Sequence, residues 1–113
     1  MNIQIFGTKK SPDTRKAERY FKERGIPFQL VDLKEKGLSK GELQSVCQAL
    51  GGLEAVIDPD CKDKDLLALI RYTAAEDKMQ KVLENQLVLK QPVVRNGRQA
   101  TAGYRPEIWK DWK

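Results

Sequence analysis

The stretch Ile3-Gln4-Ile5-Phe6-Gly7-Thr8-Lys9-Lys10-Ser11-Pro12-Asp13-Thr14-Arg15-Lys16-Ala17 decides how this chain folds. Ile3 to Phe6 alternates and stops at Gly7, the pattern of a short strand. Ser11 is a good helix N-cap, and Pro12 suits the first helical position because its missing N–H is not needed there. Ala17, Tyr20 and Phe21 fall at i, i+3 and i+4, which gives the helix one apolar face, and Gly25 supplies a left-handed stop. Phe28-Gln29-Leu30-Val31 reads as a second strand. A β-α-β unit of about 30 residues joins two parallel strands through a right-handed crossover.

Working outward, Ser39-x-x-Glu42 is a capping box ahead of Leu43, Val46, Cys47 and Leu50, and Gly51-Gly52 ends that helix. The stretch from Leu53 to Asp63 is irregular, with Pro59 marking a loop, and Leu66 to Tyr72 reads as helical. Thr73-x-x-Glu76 looks like a second capping box, opening a helix through Met79, Val82 and Leu83. Leu87-Val88-Leu89 and Pro92-Val93-Val94-Arg95 read as one extended stretch, Asn96-Gly97 as a hairpin turn, and Gln99 to Ala102 as the returning strand. Arg105-Pro106-Glu107 opens a last helix carrying Trp109 and Trp112. This order predicts an α/β fold in one domain spanning residues 1–113, a small mixed sheet with helices on both faces.

Composition narrows the chemistry. The chain has 113 residues, 40% hydrophobic and 33% charged, with no apolar run near the roughly 18 residues a membrane-spanning helix needs. Met1-Asn2-Ile3-Gln4 lacks the basic-then-apolar pattern of a signal peptide, so a cytoplasmic address is expected. There is no histidine, which removes Ser-His and Cys-His nucleophile pairs and most zinc sites. No cofactor is expected, and no metal. Two cysteines are too few for a disulfide scaffold. Cys47, on an apolar stripe, reads as a packed core thiol. Cys61 lies between Asp60 and Lys62 in a loop, where opposed charges leave it a weak candidate nucleophile.

Net charge is +5, from 21 Lys and Arg against 16 Asp and Glu, which admits an acidic partner. There is neither a helix-turn-helix signal nor a basic stripe with interleaved aromatics, so direct nucleic-acid binding is not expected. The loop between the first strand and first helix concentrates Lys9, Lys10, Arg15 and Lys16 around a helix N-terminus, whose free N–H groups and partial positive charge favour an anion. The alternative reading makes Ser11 a simple N-cap and the cations solvated surface.

Phe6-Gly7, then Ser11-x-x-Thr14-Arg15-Lys16-Ala17, resembles the opening of the arsenate reductase (ArsC) and Spx family of thioredoxin-like proteins. The tail, Gln91-Pro92-Val93-Val94-Arg95-Asn96-Gly97-Arg98 followed by Gly103-Tyr104-Arg105-Pro106-Glu107, resembles that family's C-terminal signature. The resemblance covers the whole chain and implies a thioredoxin-like fold with a helical insertion after the second β-α unit. It also implies thiol-dependent reduction, with glutathione as a possible co-substrate. It places Ser11 at the position of the nucleophilic cysteine and Pro92 at a cis-proline position. A cysteine at 11 would be stabilised by the backbone amides of Ser11, Thr14 and Arg15, while Lys10 and Arg105 would steer the anion.

Departures from the family pattern limit that chemistry. A serine hydroxyl stays protonated near neutral pH and has no histidine to take its proton, so redox inactivity is expected of the sequence as it stands. Thr14 holds the place of Spx's second cysteine. One arginine of the family's oxyanion set aligns with Gln91, and the middle one has no match in Val56-Ile57-Asp58. Three functions stay open: a disabled ArsC-like reductase, an Spx-like regulator whose partner is RNA polymerase, and a binder of a small anion or thiol without turnover. A monomer is expected. Serine at position 11 arises either by natural loss or by deliberate near-isosteric exchange.

Overall fold

Ile5 and Phe6 are neighbours on strand β1 (Ile3–Gly7), point to opposite faces, and are both fully buried, so the sheet is covered on both sides. The computed structural model describes residues 1–113. After β1 come helix α1 (Pro12–Glu23), strand β2 (Phe28–Asp32), and helices α2 (Lys40–Leu50), α3 (Lys64–Tyr72) and α4 (Ala75–Leu83). Strands β3 (Val93–Asn96) and β4 (Gln99–Ala102) and the short helix α5 (Pro106–Trp109) complete the chain. The sheet order is β2-β1-β3-β4, with β2 parallel to β1, and β3 antiparallel to both β1 and β4. This is the mixed α/β architecture expected from the sequence, with the helical insertion following β2. No helix is long and apolar enough to cross a membrane.

Two cores flank the sheet. On one face Ile3, Ile5 and Val94 meet Ala17, Tyr20 and Phe21 of α1, together with Trp109 and Trp112. The aromatic rings pack edge-on or tilted, with the Trp109 centroid 5.3 Å from Tyr20 and 5.1 Å from Phe21. The Trp109 indole N–H finds a buried acceptor in Thr101 Oγ1 at 2.7 Å. On the other face Phe6, Val31 and Val93 pack against Leu43, Val46 and Cys47 of α2 and against Ile70 and Val82 from the insertion.

Three local expectations are corrected. Thr73 does not cap α4: its hydroxyl donates to Leu69 O at 2.6 Å, closing α3 instead, and Ala74 takes the N-cap position of α4 with no side-chain bond. The tight junction between the two helices leaves Thr73 nearer the end of α3 than the start of α4. Residues 87–95 are not one extended stretch. Gln86–Val88 forms a 3₁₀ turn, because the Gln86 side chain is pinned to both backbone groups of Leu38, accepting from its N–H at 2.7 Å and donating to its carbonyl at 2.8 Å. Leu89 then pairs only with Ile57 in an isolated bridge, and β3 begins at Val93 after Pro92, which has no N–H to continue a ladder. The hairpin turns on Gly97-Arg98 rather than Asn96-Gly97. Asn96 stays paired with Gln99, and only Gly97 takes a positive φ, +62°, as the first turn residue of a type II′ hairpin does.

A polar cluster ties the start of β1 to α2. Arg95 Nη1 donates to Gln4 Oε1 at 2.7 Å and lies 3.5 Å from Glu42 Oε2, while Glu42 completes the capping box by accepting from Ser39 N–H at 2.8 Å. Burial pushes the Glu42 carboxyl up, but the bonds from Ser39 and Gln4 and the charge of Arg95 outweigh it and hold the group below its ordinary 4.5. A depressed folded value means that Glu42 adds stability above its unfolded pKa and loses it as pH falls through the folded one. Glu42→Gln is expected to cost no more than about 1 kcal/mol near neutral pH, since the pair is partly solvated. Urea unfolding across a pH series should show that difference shrinking toward zero in acid.

Candidate functional site

The site region is the junction of β1 with α1. Ser11 has extended backbone (φ −80°, ψ 115°), and its Oγ accepts from Thr14 N–H at 3.2 Å, an N-cap. The other amides nearby are largely spent. Ser11 N–H donates to Thr8 O and Arg15 N–H to Ser11 O, at 3.1 and 3.2 Å, and Pro12 has no N–H. Of the three amides expected to face the side chain of residue 11, only that of Thr14 does.

Gly7 and Thr14 lie so close that a Cβ on Gly7 would fall on the Thr14 side chain. That contact seats the first turn of α1 against the end of β1. Thr14 is 1% exposed, and its hydroxyl is buried without a partner. On the opposite flank, Thr8 donates both its N–H and its hydroxyl to Gln91 Oε1, each at 2.9 Å. The Gln91–Pro92 peptide is cis, and the Pro92 carbonyl accepts from Gly103 N–H at 2.9 Å. Gln91, noted in the sequence only as a missing arginine, thus anchors the loop before Ser11. A polar side chain next to a proline was the one available signal, and Thr8 offered none.

The cations expected near Ser11 divide into engaged and unengaged ones. Lys10 and Arg15 are exposed. Lys16 pairs with Asp13 at 3.9 Å and sits 5.9 Å over the Tyr104 ring. Arg105 donates through Nε to Ala102 O at 3.3 Å and lines a cavity of about 310 Å³ with Lys90, Leu50 and Ile108. Lys9 lines a different cavity, beside Gly7 and Thr14, whose other charged walls are Glu18, Asp32 and Glu35. The charge pattern of the loop is therefore spread over separate surfaces, and acidic residues from α1, β2 and the turn after β2 return to its edge. Their sequence distance from Ser11 hid them. No group of three or more Cys, Asp or Glu side chains is arranged to hold a metal ion.

Both cysteines are free. Cys47 is buried in the α2 core, and burial pushes its thiol up from its ordinary value. Cys61 is half-buried in the loop before α3, with its sulfur 3.8 Å from Leu87 O.

The fold matches solved structures over nearly its whole length. An ArsC family related protein from Bacteroides fragilis aligns with a TM-score of 0.83 at 18% identity, covering 100% of this chain and 98% of that one. For the arsenate reductase from Vibrio cholerae the TM-score is 0.80 at 23% identity, over 96% of this chain and 94% of that one. An arsenate reductase (ArsC) related protein from Brucella melitensis gives 0.66 at 18% identity, over 99% and 94%. The likeness is one of fold. No protein-family model and no curated protein matches the chain.

Two outcomes follow from this packing. Gly7→Ala is expected to destabilise by about 2 kcal/mol, because buried, β-branched Thr14 has little room to yield, and Thr14→Ala in the same chain should recover part of the loss in thermal unfolding. Iodoacetamide labelling followed by mass spectrometry should modify Cys61 while Cys47 stays unmodified until the chain unfolds.

Proposed function

We propose that this chain is a cytoplasmic, ArsC-like thioredoxin-fold protein whose α1 N-terminus binds a small anion or a thiol co-substrate such as glutathione, without thiol turnover, because Ser11 holds the position of the nucleophile. The reading rests on one contact, the Thr14 N–H bond to Ser11 Oγ at 3.2 Å. A thiolate on residue 11 would accept that bond and the partial positive charge at the start of a 12-residue helix, both of which lower a thiol pKa. A hydroxyl in the same place gains only a cap. It has a donor beside it and no base, in a chain with no histidine. Exposed Lys10 and Arg15 attract an anion toward the helix start, and Arg105 spends only its Nε on the protein. The likeness in fold to arsenate reductases supports the same reading.

Ser11→Cys tests it. The introduced thiol is expected to titrate about one unit or more below the ordinary 8.5. Its thiolate should attack one sulfur of glutathione disulfide, breaking that S–S bond, releasing one glutathione thiolate and leaving a protein–glutathione mixed disulfide visible by mass. A thiol near 8.5 that forms no mixed disulfide would overturn the assignment of residue 11. For the chain as it stands, calorimetric titration with phosphate, arsenate and glutathione should give binding to at least one; silence with all three would dispose of the binding role.

A further inference from the structure

On the side of α1 that meets the C-terminal segment, Lys16, Arg19 and Arg24 line a cavity of about 440 Å³ with Tyr104 and Pro106, and Glu23 is the one carboxylate in its wall. All three cations are exposed. Arg19 and Arg24 take part in no ion pair, and the Lys16–Asp13 pair, 3.9 Å long and solvated, is weak. Arg24 is nevertheless held in place. Its guanidinium lies 3.7 Å over the Tyr20 ring and donates through Nη1 to Tyr20 O at 3.1 Å, which leaves Nε and Nη2 without a protein partner. Lys16 Nζ stands 5.9 Å over the Tyr104 ring. Both tyrosines rest edge-on against buried Trp109, at 5.3 and 5.5 Å, so one aromatic block anchors the two ends of this row of cations.

From residue 16 to residue 24 the helix rises about 12 Å, at roughly 1.5 Å per residue. The positive charge is therefore a row and not a point, which suits an anion whose charges are strung along a chain. A second observation narrows the chemistry: the Tyr104 ring, 37% exposed, lies in the wall of the same cavity. A single nucleic-acid strand carries a charge and a flat ring at every unit, phosphates for the cations and a base for the tyrosine, whereas an acidic peptide supplies only the charge. Read along the chain, the aromatic neighbours of these cations, Tyr20 and Phe21, are buried; the exposed ring arrives only because the C-terminal segment packs on α1. We infer that this face of α1 binds a short single strand of nucleic acid, with Lys16, Arg19 and Arg24 on successive phosphates and Tyr104 stacked on a base. None of these four side chains serves the anion reading of Ser11.

The test is fluorescence anisotropy of a labelled oligothymidylate with the full chain, repeated across a series of potassium chloride concentrations. Affinity is expected to fall with a log–log slope of about −2, since each phosphate contact to a single strand contributes about −0.7. Arg19→Gln and Arg24→Gln should each reduce that slope by about one contact. Arg19 is exposed and makes no bond to the protein, so its variant keeps the parent fold. Tyr104→Ala should weaken binding roughly tenfold, and Tyr104→Phe should preserve it, because stacking needs the ring and not the hydroxyl. A duplex of the same length should bind more weakly. The inference is overturned if the strand does not bind at low salt, if the duplex binds as tightly, if polyglutamate displaces the strand as well as unlabelled oligothymidylate does, or if Arg19→Gln and Tyr104→Ala both leave affinity unchanged.

Discussion

The close approach of Gly7 to Thr14 sets where everything at the junction of β1 with α1 can sit. No side chain fits at Gly7, so the first turn of α1 rests directly on the end of the central strand. From that contact follow the position of Ser11 as a cap, the direction of the Thr14 N–H, and the burial of the Thr14 hydroxyl. The opposite flank is held by a different device, the side chain of Gln91 taking two bonds from Thr8. Position 11 therefore sits between a packing constraint on one side and a hydrogen-bonded clamp on the other.

Charge counted along the chain and charge arranged in space tell different stories here. The net of +5 and the run from Lys9 to Lys16 pointed to one anion-attracting centre. Folding sends Lys16 to Asp13 and Tyr104, ties Arg105 to Ala102, and brings Asp32 and Glu35 beside Lys9. What is left for an anion at Ser11 is a local field from the helix end, one directed N–H and the exposed Lys10 and Arg15. Such a field is modest, because most of the loop's cations are engaged elsewhere or face carboxylates.

The same contrast runs through the fold. The β-α-β unit was legible because its signals are local and strong: alternation in Ile3–Phe6, Ser11-Pro12 at a helix start, and glycine at a helix end. The Ser39–Glu42 capping box was legible for the same reason. Thr73-x-x-Glu76 carries an equally good motif and fails as a cap, because a threonine between two abutting helices serves whichever end is nearer, and here that is the end of α3. Residues 87–95 misled because apolar, β-branched residues suit a strand, a buried turn and an isolated bridge alike, and the bond from Gln86 to Leu38 that selects the turn spans 48 residues.

By itself the sequence determined the element order, the two-sided sheet, the absence of imidazole chemistry and the presence of a hydroxyl, that of Ser11, at the start of the first helix. Those properties are set by periodicity, by short capping patterns and by which functional groups exist in the chain at all. Only the tertiary structure decided which side chains meet at the helix start: Gln91 on Thr8, Thr14 against Gly7, and Glu18, Asp32 and Glu35 around one small cavity. These groups come from separate elements, and no local pattern records their meeting, because it depends on how β1 passes between two strands and on how closely α1 can approach it.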